Sequence, residues 1–268
     1  MHIGKSSSSS YKLQVDSASI RCNDTSFRHV LTKKGVREMP RELYLALGDS
    51  ITAGYDATSP GAAFVSKVSR YARVQGIASR TLIVAKNGWT SRDLVQTLWT
   101  IPPQVWSEVG LLTLCIGGND LRRLARDMVL GTPITWPRVI SITEEYEQNL
   151  RRMCDFIDRR KVPQVFLVTI YNPVPRTEIA VKAVEKLNAA IEEVAALYNF
   201  PVIDLYKAFQ GREAEFIAGF RAGQIEDLMR LFKRPIHPND SGHQMIATLV
   251  RQQLSTAQKT MTSDIKRN

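Results

Sequence analysis

The chain has 268 residues, 44% hydrophobic and 23% charged, a composition that excludes collagen-like, low-complexity and wholly disordered chains. Its formal charge of +10 raises nucleic acid as a partner, yet residues 1–40 carry seven Lys/Arg against three acids and residues 251–268 four against one, leaving 25 against 22 in the remainder. The surplus therefore sits mostly in the two ends, which read as solvated tails, and no nucleic-acid partner is expected.

No apolar run approaches the roughly 18–20 residues needed to cross a bilayer. Met1–Ser10 lacks the apolar segment of a secretory signal, so the expectation is a soluble, cytoplasmic protein. Cys22, Cys115 and Cys154 are too few and too scattered for a disulfide framework and form no C-x-x-C. They read as buried small hydrophobes.

Residues 1–41 show no sustained period. Ser6–Ser10 reads as flexible, and Tyr11–Leu31 as a stretch able to hold short strands that decorate the domain. From Leu43 the pattern changes. Leu43–Leu47 is a short apolar run ending at Gly48, the mark of a strand buried on both faces, and similar runs recur at Thr81–Ala85, Leu111–Ile116, Val165–Ile170 and Pro201–Leu205. Helical stripes lie between and after them: Phe64, Val68 and Tyr71; Tyr146, Leu150, Met153 and Ile157; Val184, Leu187, Ile191 and Val194; and finally Met245, Ile246, Leu249, Val250 and Leu254. Strands alternating with helices predict a three-layer α/β/α fold with a five-stranded, mostly parallel sheet. The division expected is an N-terminal extension over 1–41, one domain over 42–255 and a polar tail over 256–268.

Such sheets collect ligand chemistry at the carboxyl ends of their strands. The first strand delivers Gly48-Asp49-Ser50-Ile51-Thr52-Ala53-Gly54-Tyr55. A serine directly after a strand, between glycines that allow sharp turns, suits an exposed nucleophile. The segment is neither the G-x-S-x-G elbow, since Thr52 stands where glycine is required, nor a phosphate loop, since no G-K-[ST] follows. Alone it could simply cap a helix. The second strand runs into Asn87-Gly88-Trp89-Thr90-Ser91 and the third ends as Cys115-Ile116-Gly117-Gly118-Asn119-Asp120-Leu121; near the C-terminus stands His237-Pro238-Asn239-Asp240-Ser241-Gly242-His243. A serine hydroxyl needs a base to take its proton, and an oxyanion needs donors aimed at it. A serine, a glycine amide, an asparagine amide and a histidine supply those parts in order.

These four blocks together resemble the SGNH hydrolases, also called the GDSL esterase/lipase family, over about 48–245. The resemblance implies a flavodoxin-like sheet order, Ser50 as nucleophile with its own N–H as an oxyanion donor, and Gly88 giving a second backbone N–H. It implies Asn119 giving a side-chain amide and His237 as general base, with no cofactor or metal and a small-molecule ester as substrate. His243 reads as a solvated residue in the first turn of the last helix, and His2 and His29 likewise. Trp89 either walls a pocket or packs in the core. Arg122, Arg123 and Arg126 read as a solvated helix face, with contact to an anionic substrate as the alternative.

One position departs from the family. An aspartate usually stands three residues before the histidine, and here it is Arg234. That acid accepts the imidazole's other N–H and fixes its tautomer. Asp227, Glu226 or Asp240 could take its place, a backbone carbonyl could leave a Ser–His dyad, or catalysis could be lost. A non-catalytic carbohydrate- or lipid-binding protein on the same fold is therefore the alternative to a serine esterase.

Overall fold

The computed structural model describes residues 11–12, 41–229 and 234–265. In chain order these give β1 (Tyr11–Lys12), β2 (Leu43–Gly48), α1 (Ser50–Ala53), α2 (Phe64–Val74), β3 (Arg80–Ala85), α3 (Ser91–Leu98) and α4 (Pro103–Glu108). There follow β4 (Val109–Cys115), α5 (Gly118–Val129), α6 (Trp136–Asp158), β5 (Gln164–Val168), α7 (Glu178–Leu197) and β6 (Val202–Ile203). The chain ends with α8 (Leu205–Phe209), α9 (Glu213–Phe216), a 3₁₀ turn (Ile225–Met229) and α10 (Asp240–Ile265).

The strands pair in the order β1-β3-β2-β4-β5-β6, and every pairing is parallel. The five strands foreseen from the apolar runs are β2 to β6. Their order is the doubly wound one in which the first strand lies between the second and the third. Tyr11–Lys12 adds a two-residue edge strand against Leu82 and Ile83; with Arg41 it is the described part of the 1–41 extension.

Alternation along the strands sorts the core into two layers. Leu43, Leu45 and Leu47 join Leu94, Trp106, Tyr146, Leu150 and Leu187 on the face covered by α3, α4, α6 and α7. Tyr44 and Ala46 join Phe64, Val68, Phe209, Ile246 and Val250 on the face covered by α2, α8 and α10. All four helical stripes read from the sequence thus face the sheet. Cys115 and Cys154 are buried thiols, as expected of them; Cys22 lies outside the described residues. Helix α10 runs on to Ile265, past the boundary at 255 where the apolar stripe stops, because a helix once nucleated adds residues without needing each to be buried.

Between the two central strands, the buried Tyr44 hydroxyl and Thr113 Oγ1 share a hydrogen bond of 2.9 Å. Tyr44→Phe strands the Thr113 hydroxyl without that partner and should cost about 1–2 kcal/mol, whereas adding Thr113→Val should cost little more or restore part of the loss, since removing both partners leaves no unpaired group. Denaturant unfolding of the two single variants and the double variant checks this.

Candidate active site

Strand β2 is flanked by β3 on one side and β4 on the other, so the chain leaves β2 over one face of the sheet and reaches β4 over the opposite face. At such a reversal the connections part and a crevice opens beyond the carboxyl ends. Gly48 and Cys115 are register partners there, and Ser50 and Asn119 follow them within four residues. A Cβ at Gly48 would overlap Thr52 Oγ1 and the Cys115 carbonyl, so only glycine lets the turn into α1 pack this closely. Asp49 caps α1, its Oδ1 accepting the Ile51 N–H at 3.0 Å, and Gly54 (φ 84°) closes the helix. Ser50 is the first residue of α1, where the amide has no partner within the helix.

From 187 residues away His237 meets this serine, its Nε2 lying 3.0 Å from Ser50 Oγ. The strand of chain that brings it is tied down at each neighbour. Ile217 bridges Pro238, the His237 carbonyl accepts the Ala218 N–H at 2.9 Å, and the Tyr171 hydroxyl donates to the Ile236 carbonyl at 2.6 Å. Asn239 then turns the chain into α10: its Oδ1 accepts the Gly242 N–H and its Nδ2 donates to the Glu215 carbonyl.

The other ring nitrogen of His237 is not without an acid. Nδ1 lies 3.2 Å from Asp56 Oδ2. If Nε2 is to accept the Ser50 proton, Nδ1 carries the ring proton and donates it to that carboxylate. None of the three acids considered from the sequence is placed there. Asp227 accepts the Gly223 N–H at 2.8 Å and caps its own loop, Asp240 accepts the Thr58 N–H and hydroxyl, and Glu226 is exposed on the 3₁₀ turn. Burial, foremost, pulls the imidazole below its usual range, and the Arg122 charge adds to this while Asp56 opposes it.

His243 corrects the reading of a solvated residue: it is fully buried. Its Nδ1 accepts the Phe64 N–H at 3.4 Å and its Nε2 donates to the Tyr55 carbonyl at 3.0 Å. That pattern requires the neutral ring, and burial lowers its pKa accordingly.

Asn119 stands in the first turn of α5. Its Nδ2 donates to the Trp89 carbonyl at 3.0 Å and its Oδ1 accepts from Arg122 Nη1 at 3.2 Å, which orients the amide and leaves one Nδ2–H unused by these bonds. Beneath it the buried Asp120 accepts the Ser91 N–H and hydroxyl, and Asn149 donates to the same hydroxyl. The second and third blocks are thereby clamped together. Gly88 turns the chain after β3 with φ 83°, a conformation that disfavours any side chain, on the same edge of the sheet as Ser50. Trp89 packs against the core cluster. Of the three arginines, Arg123 pairs with Glu145 at 2.7 Å and Arg126 is exposed, while Arg122 lines the cavity beside Asn119.

That cavity holds about 890 Å³ of atom-free space, part of it open to solvent, with Ser50, Asn119 and His237 in its wall. Beyond them the wall is mostly apolar, with Leu121 and Leu124 from α5, Ile179 and Ala183 from α7, then Leu228 and Ile236, and with Asp49, Arg122 and Asn172 as polar members. Among the described residues no group of three or more His, Cys, Asp or Glu is arranged to hold a metal, and no helix is long and apolar enough to cross a membrane.

Residues 46–245 match the model of the GDSL-like lipase/acylhydrolase family. The spore germination lipase LipC of Bacillus licheniformis is 25% identical over 217 residues, covering 78% of this chain and 94% of that protein. Among solved structures, the lipase Lip_vut3 from a goat rumen metagenome superposes with a TM-score of 0.63 at 24% identity, covering 79% of this chain and 96% of the other. The lipase/acylhydrolase of Enterococcus faecalis gives 0.54 at 22% over 81% and 96%. A catalytic mutant of Axe2, an acetylxylan esterase from Geobacillus stearothermophilus, gives 0.56 at 18% over 81% and 95%.

Burial pushes the Asp49 carboxyl up to about 7, aided by the Asp120 charge and opposed by the Ile51 N–H. The unfolded value is about 3.9. A raised folded pKa means the native state holds the proton more tightly, so this group's contribution is present at low pH and is lost as pH climbs from about 4 to 7. Asp49→Asn keeps an acceptor for the cap and removes the ionisation. The stability of the variant relative to wild type should therefore rise across that window and then level off, read from denaturant midpoints at a series of pH values.

Proposed function

The chain belongs to the GDSL-like lipase/acylhydrolase family, and on that premise we propose that it is a serine esterase, cleaving an acyl ester through a covalent intermediate on Ser50. The observation that carries this reading is the 3.0 Å contact between Ser50 Oγ and His237 Nε2, a nucleophile and base within hydrogen-bond reach. The same contact favours hydrolysis over a non-catalytic binding protein. That alternative rested on the acid absent at Arg234.

In this mechanism His237 takes the Ser50 proton as Oγ attacks the ester carbonyl. The negative charge that develops on the carbonyl oxygen is met by the N–H groups of Ser50 and Gly88 and by Asn119 Nδ2. His237 then returns the proton to the leaving alkoxide, giving an alcohol and an acyl-Ser50. Water, deprotonated by the same imidazole, attacks the acyl carbon, and collapse of the second tetrahedral species frees the carboxylic acid and restores the serine. Donors fixed before the charge appears need no reorganisation, which is why they lower the barrier more than the ground state. Arg122, bonded to Asn119 Oδ1, holds that amide in place.

The apolar wall beside Ser50 fits an acyl chain longer than acetyl. Each methylene buried is worth about 0.8 kcal/mol, so kcat/KM on p-nitrophenyl esters should climb about threefold to fourfold per added carbon from acetate upward until the cavity is filled. A series that peaks at acetate would point to the small acetyl groups of an acetylated sugar instead.

Ser50→Ala should abolish both this turnover and labelling by an activated fluorophosphonate; retained turnover would overturn the assignment. Asn119→Ala should lower kcat by roughly 10²–10³ with a smaller change in KM, as expected for a donor that acts in the transition state. An effect confined to KM would make Asn119 a substrate-binding residue.

A further inference from the structure

We propose that Asp56, six residues after the serine, does the work of the acid that Arg234 displaces, as the positioning residue for His237. The proposal rests on the esterase reading for its activity assay but stands on geometry of its own.

Three features place this carboxylate. The first is the contact itself, 3.2 Å to Nδ1 on the ring whose opposite nitrogen faces Ser50. The second is the backbone: Asp56 has φ 58°, in the left-handed region that aspartate and asparagine enter more readily than other side chains. The turn at Gly54 and this residue fold the chain back, so that the Tyr55 ring lies against the imidazole, with centroids 5.4 Å apart, and the Asp56 side chain reaches Nδ1. The third is that the segment is fastened at both ends of the turn to the first turn of α10. His243 Nε2 donates to the Tyr55 carbonyl at 3.0 Å, and Asp240 accepts the Thr58 N–H at 2.9 Å and its hydroxyl at 2.5 Å. The helix that follows the His-Pro-Asn block thus holds the loop that carries the partner of the histidine.

The charged and titratable groups facing His237 come from separate elements: Asp56 from the loop after α1, Arg122 from α5 and the neutral His243 from α10. Arg234, three residues before it, bears on Arg122. With a guanidinium at 234, an aspartate at 56 supplies the anion facing Nδ1. The Asp56 side chain is 46% exposed against 13% for His237, so water screens part of its charge. Its loss should cost less than the roughly 10⁴-fold seen when a buried triad acid is neutralised.

The test is Asp56→Asn in the full chain, since asparagine tolerates the same backbone angle while losing the charge. We expect kcat on an activated aryl ester to fall roughly 10- to 100-fold, the range of a hydrogen bond to a charged group, with KM and melting temperature little changed. In a Ser50→Ala background, where no turnover is needed, the ring titration of His237 followed by NMR should move to lower pH on Asp56→Asn and stay put on Asp227→Asn. Asp56→Gly, which accepts φ 58° without strain, should reproduce that move if asparagine perturbs the loop. A kcat within twofold of wild type, an unmoved His237 titration, or a titration that moves with Asp227 instead would each overturn the proposal. Because the titration is read without substrate, it decides the Asp56–His237 coupling even if the chain hydrolyses no ester.

Discussion

The parallel pairing of β2 with both β3 and β4 is the constraint on which the site depends. It places the first strand of the domain between the second and the third, so consecutive connections diverge to opposite faces and leave the carboxyl ends of β2 and β4 uncovered. Ser50 and Asn119 project into that gap because each lies within four residues of a strand end whose partner is the other's strand. The requirement is steric as well as topological. Gly48 has no room for a side chain between Thr52 and the Cys115 carbonyl, and a bulkier residue would push the two strand ends apart and with them the nucleophile and the amide.

Two buried carboxylates sit under this edge with different partners. Asp120 is spent on the Ser91 N–H and hydroxyl, and its carboxyl is pushed up to about 6 by burial despite those bonds. Asp49, with burial dominant, rises further. Neither makes a hydrogen bond to the imidazole: Asp120 locks the second block to the third, while Asp49 starts the helix that presents the serine. The acidic group that does face the imidazole is half in water. This site therefore separates the carboxylates that build it from the one that meets His237.

With Arg234 where the family usually has an aspartate, the carboxylate within reach of His237 Nδ1 is that of Asp56. An imidazole presents two nitrogens roughly opposite one another. Once Nε2 is fixed on the serine, Nδ1 points to one region of space, and any loop that reaches that region can supply the acceptor. Here the loop is the one leaving α1, held by His243 and Asp240, so the residues of the fourth block act on both sides of the ring.

Fold class and the four candidate site residues were legible in the sequence because each has a local signature. Strands buried on both faces read as continuous apolar runs such as Leu43–Leu47, helices as stripes at 3.6 spacing such as Val184 to Val194, and the blocks around Ser50, Gly88, Asn119 and His237 sit where those runs end. What pairs across the chain left no such mark. Asp56 lies 181 residues from His237, and neither its spacing from Ser50 nor its neighbours distinguish it from a loop aspartate. The only hint was an acid two residues beyond Gly54. His243 carried the opposite error for the same reason: polarity alone suggests solvent, and only the packing of α10 against α2 and the loop at Tyr55 buries it with both nitrogens satisfied. Sequence fixes periodicity and local turn chemistry, which act over a few residues; the side chains that meet across the site are set by how helices dock on the sheet, and that is decided by the tertiary structure alone.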